Sequence, residues 1–501
     1  MGRSLGFVAC ALALGFGARS AANAASTEAL RPRFHFTPAR NFMNDPNGLV
    51  FLDGEYHLFY QHNPFGDRWG HMSWGHAVSR DLLRWEHLPV ALPEEGGVMI
   101  FSGSAVVDEA NTSGLCGAVG PSCLVAIYTG HGHDRQTQNL AASRDRGRTW
   151  TKYAGNPVLD LGLANFRDPR VFWHAPRRRW IMVAVLADQK KVRFFGSADL
   201  KHWDTLSDFG PAGATEGVWE CPDLFPLAVD GDANDVRYVL DVDLNPGGRA
   251  GGSGDQYFVG TFDGQRFVNE NPAGQTLWVD YGKDFYASLS FSNIPPLDGR
   301  RIWMGWMSNW LYANEEPTSP WRGVQSIPRE LELRRGPEGI RLVQVPVREL
   351  RSLRRGTEPR LVRESTELPG SAEIELEIAP GEWTEAGFRL SNAAGEEVLV
   401  GVTLRPLEVF VDRGKSRLTP FHDAYQGRHA GPVRWRNGRV ALRVLFDRTT
   451  LEVFANDGET VVSDRVYPTQ PLDRLQPLEG GRGLSGPLRL FELDTAAGIR
   501  P

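Results

Sequence analysis

Three short stretches of the chain repeat one another: "SRDLLRW" from Ser79, "SRDRGRTW" from Ser143 and "SADLKHW" from Ser197. Each carries an Asp two places after the Ser (Asp81, Asp145, Asp199) and a Trp shortly beyond (Trp85, Trp150, Trp203). The Ser positions lie 64 and 54 residues apart. Each repeat follows one apolar run and precedes another. A unit of this size cannot bury its own sheet, so such units stack on their neighbours. Between the repeats the chain reads as hairpins. "LVFLDGEYHLFYQ" is strand, Asp53-Gly54 turn, strand, and "YFVGTFDGQRFV" repeats the form with Asp263-Gly264. Helical periodicity is scarce, so the chain is all-β, and the repeats predict the blades of a propeller.

A second register carries chemistry. Asp45 precedes Pro46 and an apolar strand, and Asp168 precedes Pro169 and another. Glu220 precedes Cys221-Pro222-Asp223 and a third. Taken alone, Asn44 to Gly48 makes a turn. Three acids at near-equivalent places on successive blades converge at one end of the funnel. Two carboxylates across a glycosidic bond are the equipment for hydrolysing it. Asn44 and Asn47 should keep Asp45 ionised, as suits a nucleophile. Trp219 and Cys221-Pro222 should give Glu220 an apolar setting and a raised pKa, as suits an acid/base. Arg167 should hold Asp168 ionised. Sugar rings stack on aromatic faces, and Phe65, Trp69, Phe101, Trp219 and Trp310 are available for this.

After about residue 340 the chain changes to period-two strands such as "EIELEIA" and "VALRVLFD", which reads as a β-sandwich. It has no comparable acidic group, and its expected role is to brace the propeller. At the other end, Leu5 to Phe16 is apolar and too short to span a membrane, and Ala22-Asn23-Ala24 is a cleavage signal. The expected organisation is a signal peptide over 1–24, a catalytic propeller over 25–340 and a sandwich over 341–501, in a secreted protein.

Loss of Arg3 and Arg19 with the signal moves the formal charge from -6 to -8. Phosphate binding needs a basic face, so nucleic acid and anionic membrane are poor partners, and neutral sugars fit. Cys116 and Cys123 flank a Gly/Pro loop in an exported chain, and a disulfide is expected there. Metal-type Cys/His spacing is absent, and no metal or organic cofactor is implied.

"MNDPNG", "FRDPRVF" and "WECPDLF" resemble the three signature blocks of glycoside hydrolase family 32. Further blocks agree in order: "FSGS", "DYGKDFYAS", "GWMSNW" and "SIPREL". "LRVLFDRTTLEVFANDGE" resembles the family's sandwich module. The resemblance implies a five-bladed propeller followed by a β-sandwich, and retaining hydrolysis of β-fructosides without a cofactor. It implies Asp45 as nucleophile, Glu220 as acid/base and Asp168 as transition-state stabiliser. Asn44, Gln61, Trp69, Phe101, Ser102, Arg167 and Trp310 would hold the terminal fructose. The likeness is greatest to microbial exo-levanases and exo-inulinases, so the expected substrates are levan, inulin and sucrose. His71 and Ser73 depart from many relatives and touch leaving-side preference. Competing readings are transfer or endo cleavage at the same site, an inverting arabinofuranosidase-type propeller enzyme, and a fructan-binding protein without catalysis.

Overall fold

The computed structural model describes residues 27–117, 123–272 and 274–495. The expected signal peptide lies outside them. Five four-stranded antiparallel blades surround one axis. Blade I comprises Asn41–Leu52, Glu55–Asn63, Ser73–Ser79 and Trp85–Leu92. The innermost strands of blades II to V are Met99–Val107, Phe166–His174, Val218–Val229 and Tyr286–Ser290. Blade V ends with Gly339–Pro346, so the propeller runs past the boundary expected at residue 340. The reason is its pairing with Arg329–Gly336 along the whole strand.

The three sequence repeats are the turns between the third and fourth strands of blades I, II and III. In each, the Ser hydroxyl donates to the Asp carboxylate, at 3.1, 2.8 and 3.2 Å. The same carboxylate accepts main-chain N–H groups of the turn, and the Trp indole donates back to a carbonyl: Leu82, Gly147 and Leu200. One turn chemistry is therefore used three times. Asp53 and Gly54 both have positive φ (48° and 83°), the geometry of a tight two-residue hairpin.

The sandwich has two six-stranded sheets, with Val, Leu and Ile from both inner faces as its core. One sheet meets the propeller: Leu445, Phe454 and Val461 join Phe34, Leu289, Met304 and Ile327 in a shared core. Buried ion pairs cross the same interface. Arg329 of blade V meets Glu452 at 2.5 Å, and Asp284 meets Arg413. The main-chain N–H groups of Arg33, Phe34 and His35 donate to Asp447, so the start of the described chain is sewn to the sandwich.

Cys116 and Cys123 form a disulfide with a Cα–Cα distance of 5.4 Å, and Cys221 is a free thiol.

Candidate active site

All five innermost strands gain a residue at the same depth. Asn44–Asp45, Phe101–Ser102, Asp168–Pro169, Cys221–Pro222 and Ala287–Ser288 each lie opposite a single residue of the next strand. A bulge bends its strand and re-aims side chains. Five of them around one axis aim a ring of groups into one end of the funnel. Asp168, Cys221 and Ala287 take positive φ (61°, 43° and 57°), and strain of this kind in non-glycine residues gathers at functional sites.

Counted from the prolines, Cys221 and not Glu220 matches Asp45 and Asp168, but by the bulges Asp168 and Cys221 are first residues, in line with Asn44, and Asp45 is a second residue, in line with Ser102. Glu220 stands one place earlier, in line with Arg167. The Cys221 thiol lies 3.6 Å from Asp45 Oδ2 and 3.7 Å from Asp168 Oδ2, and its main-chain N–H donates to Asp168 Oδ2 at 2.9 Å. It stands between the two aspartates.

Asp45 is buried. Asn44 Nδ2 donates to its Oδ1 at 2.9 Å and Ser102 Oγ to its Oδ2 at 2.6 Å. Asn47 instead donates to the Asp45 carbonyl and accepts from Gln61, so it shapes the bulge and leaves the carboxylate to others. Burial pushes the Asp45 pKa up; Ser102 opposes the rise and Glu220 adds to it. Asp168 is also buried, and burial raises its pKa to about 7 although Arg167 pulls the other way. The expected pull of the neighbouring amides and of Arg167 is present, but burial outweighs it in both groups. Closing the blades around the axis strips more water from the carboxyls than these donors replace.

Glu220 takes a different environment from the one expected. Strand alternation sends Trp219 into the core between blades III and IV, where its indole donates to Ala214. The apolar wall proposed for Glu220 is therefore missing. Its Oε1 lies 3.1 Å from Arg167 Nη2, and its Oε2 accepts the Tyr286 hydroxyl at 2.5 Å. Arg167 is held in turn by Gln136 and Asn165.

An aromatic rim surrounds this ring. Trp69 meets Phe101 edge-on at 6.1 Å, and Phe101 stacks on His131 at 4.4 Å. Trp310 packs on Trp306 and Phe42. Phe65 is exposed and lies edge-on to His71, which Glu94 holds at 2.7 Å. Sequence reasoning missed Tyr286, Thr129, which accepts the Asp168 N–H, and Gln325, which donates to the Asn44 carbonyl. Tyr286 stands in a recognised block, and its place on the fifth innermost strand was the available signal.

Known proteins agree with this architecture. Residues 35–346 match the glycosyl hydrolases family 32 N-terminal domain, and residues 348–483 match the family's C-terminal domain. The chain is 49% identical to the levanase of Bacillus subtilis over 91% of its own length and 69% of that protein's. It is 38% identical to the extracellular exo-inulinase of Aspergillus ficuum, covering 88% of this chain and 90% of that one. The crystal structure of exo-inulinase from Aspergillus awamori superposes with a TM-score of 0.88 at 35% identity, over 93% of this chain and 99% of that one. With both domains matched in order, on a propeller that gathers three acids at one end of its axis, the chain belongs to glycosyl hydrolase family 32 and is a glycoside hydrolase.

Proposed function

We propose that the protein is an exported, retaining exo-β-fructosidase that removes terminal fructose from levan and inulin and also cleaves sucrose. The observation that carries this reading is the ring of bulges, which brings Asp45, Asp168 and Glu220 together under an aromatic rim. Asp45 attacks the anomeric carbon. Ser102 and Asn44 fix its two oxygens, so the attacking lone pair has one direction. Glu220 protonates the leaving oxygen and then activates the water that releases the sugar from Asp45. Arg167 and Tyr286 hold it for both steps. Asp168, beside Arg167, binds fructose hydroxyls and stabilises the oxocarbenium-like transition state. Trp69, Phe101 and Trp310 give the sugar its apolar walls, and Gln61 lies buried behind Asn47.

The relatives named above, a levanase and an exo-inulinase, support the substrate class. Export rests on the N-terminal sequence and the disulfide. No helix among the described residues is long and apolar enough to cross a membrane.

The test is the product profile on levan, inulin and sucrose, followed by chromatography from the first minutes. Fructose alone is expected, with sucrose also giving glucose. Early short oligosaccharides would replace the exo reading with endo cleavage or transfer. No product from any of the three would overturn the function.

A further inference from the structure

Blade IV buries three carboxylates that the proposed mechanism does not use. Asp241 and Asp243 lie two apart on Asp232–Asn245, and Asp255 is the in-register partner of Asp243 on the next strand. The strand pairing and the pleat put all three on one face. One carboxylate oxygen from each lies within 4.8 Å of the others, and all three residues are buried.

Their lack of partners sets them apart. Elsewhere in the interior, buried acids meet a base or several donors: Asp223 has Arg170, Asp280 has Arg329, Asp284 has Arg413, Glu373 has Arg354 and Asp447 has His35. Among the described residues no Lys, Arg or His forms an ion pair with Asp241, Asp243 or Asp255. Ser288 Oγ donates to Asp241 Oδ2 at 2.5 Å. No side-chain donor from outside the group reaches five of its oxygens, Asp241 Oδ1 and both oxygens of Asp243 and of Asp255; Asp243 and Asp255 lie close enough to share a proton with each other. The Ser288 main-chain N–H exerts a weak pull on Asp255, and Val242 does so on Asp241. An uncompensated buried carboxylate is strongly unfavourable, and three side by side more so.

We propose that Asp241, Asp243 and Asp255 form a binding site for one hard divalent cation, Ca²⁺ in the first place. The donor set is oxygen only, as Ca²⁺ and Mg²⁺ prefer. Ca²⁺ bonds of about 2.3–2.6 Å let one ion bridge oxygens separated by up to about 5 Å, and water completes its shell. Ser288, which holds Asp241, also lines a small axial cavity with Ser102, Asp168 and Cys221, so the group adjoins the polar end of the funnel. Asp243 is the in-register neighbour of Glu220. The ion therefore sits one strand behind the acid/base and ties the two middle strands of blade IV together. Cys/His spacing in the sequence could not reveal it, because every ligand is an aspartate.

The test uses the full-length protein, purified without a metal-affinity step and dialysed against metal-free buffer. Elemental analysis should find about one Ca²⁺ per chain after re-equilibration with CaCl₂, as a single three-carboxylate site holds one ion. CaCl₂ should raise Tm above its value in EDTA, since a ligand that binds only the folded state stabilises it. Asp255→Asn should lose both effects. If Asp255→Asn does not fold, Asp243→Asn serves, and the wild-type metal content decides by itself. No stoichiometric metal together with a Tm indifferent to CaCl₂, MgCl₂ and EDTA would overturn the site and leave shared protons as the compensation. Metal retained at full stoichiometry by Asp255→Asn and Asp243→Asn would place it elsewhere and overturn the site equally. Neither readout depends on the substrate, so the fructosidase reading stands or falls separately.

Discussion

The Tyr286 hydroxyl, on blade V, donates to Glu220 Oε2, on blade IV, at 2.5 Å. The bond crosses between blades, so it exists only when the ring is closed. Tyr286→Phe should leave the fold intact and lower kcat on sucrose by about 10- to 100-fold, the loss of one hydrogen bond to a charged group. KM should move less. Unchanged kcat would remove Tyr286 from the positioning of Glu220.

Asp45 is held at both oxygens, by Asn44 and Ser102. Asp45→Asn keeps the shape of the side chain and should fold normally. It should lose turnover on the order of 10⁴-fold, as nucleophile deletions do. Ser102→Ala should keep KM near wild type and lower kcat by about 10-fold, one hydrogen bond. Substantial turnover by Asp45→Asn would take the nucleophile role from Asp45.

Asp168 has its pKa raised from 3.8 to about 7 by burial. Its folded form therefore binds the proton more tightly than its unfolded form. The contribution of such a group to stability is best at low pH and is lost as pH rises from about 4 to about 7. Asp168→Asn removes this liability. Its Tm should exceed wild type at pH 8 by more than at pH 4, while its activity falls. Calorimetry at the two pH values checks the sign, and an equal difference at both would refute it.

Arg329 joins blade V to the sandwich through Glu452 and also meets Asp280 at 3.2 Å. His35 touches Glu452 from the other side at 2.8 Å. Arg329→Met would leave buried Asp280 without its base and buried Glu452 with His35 alone. The expected cost is about 3–5 kcal/mol, read by denaturant unfolding, with both domains weakened together. Loss confined to the sandwich would show that the two parts stand independently.

Much of this was legible because it is local. The Ser-x-Asp turns declare themselves by side chains that bond within a few residues, so three blades were visible at once. Asp45 and Asp168 were visible because Pro and then an apolar run follow each in the sequence. What escaped depends on neighbours far away in the chain. The pKa directions of Asp45 and Asp168 follow from water excluded by other blades, which adjacent residues do not report. Glu220 was assigned its environment from Trp219, although the strand turns that ring to the opposite face. Tyr286 shares no acid or amide signature with the other blades, and only the closed ring brings it to Glu220. The Asp241, Asp243 and Asp255 group draws on two strands whose register no spacing rule supplied.

The buried contacts between propeller and sandwich have a consequence for how the chain is made. Arg329 is separated from Glu452 by 123 residues. At about 5–20 residues per second, a ribosome needs roughly 6–25 s to deliver that carboxylate after the arginine. His35 and its main chain wait longer still, because Asp447 lies 412 residues downstream. The nascent propeller therefore holds Arg329 paired with Asp280 alone, and its opening segment unsewn, until the sandwich strands that carry Asp447 and Glu452 have been made. A chain truncated before Asp447 would be left with its opening segment loose, so the sandwich closes the propeller it follows.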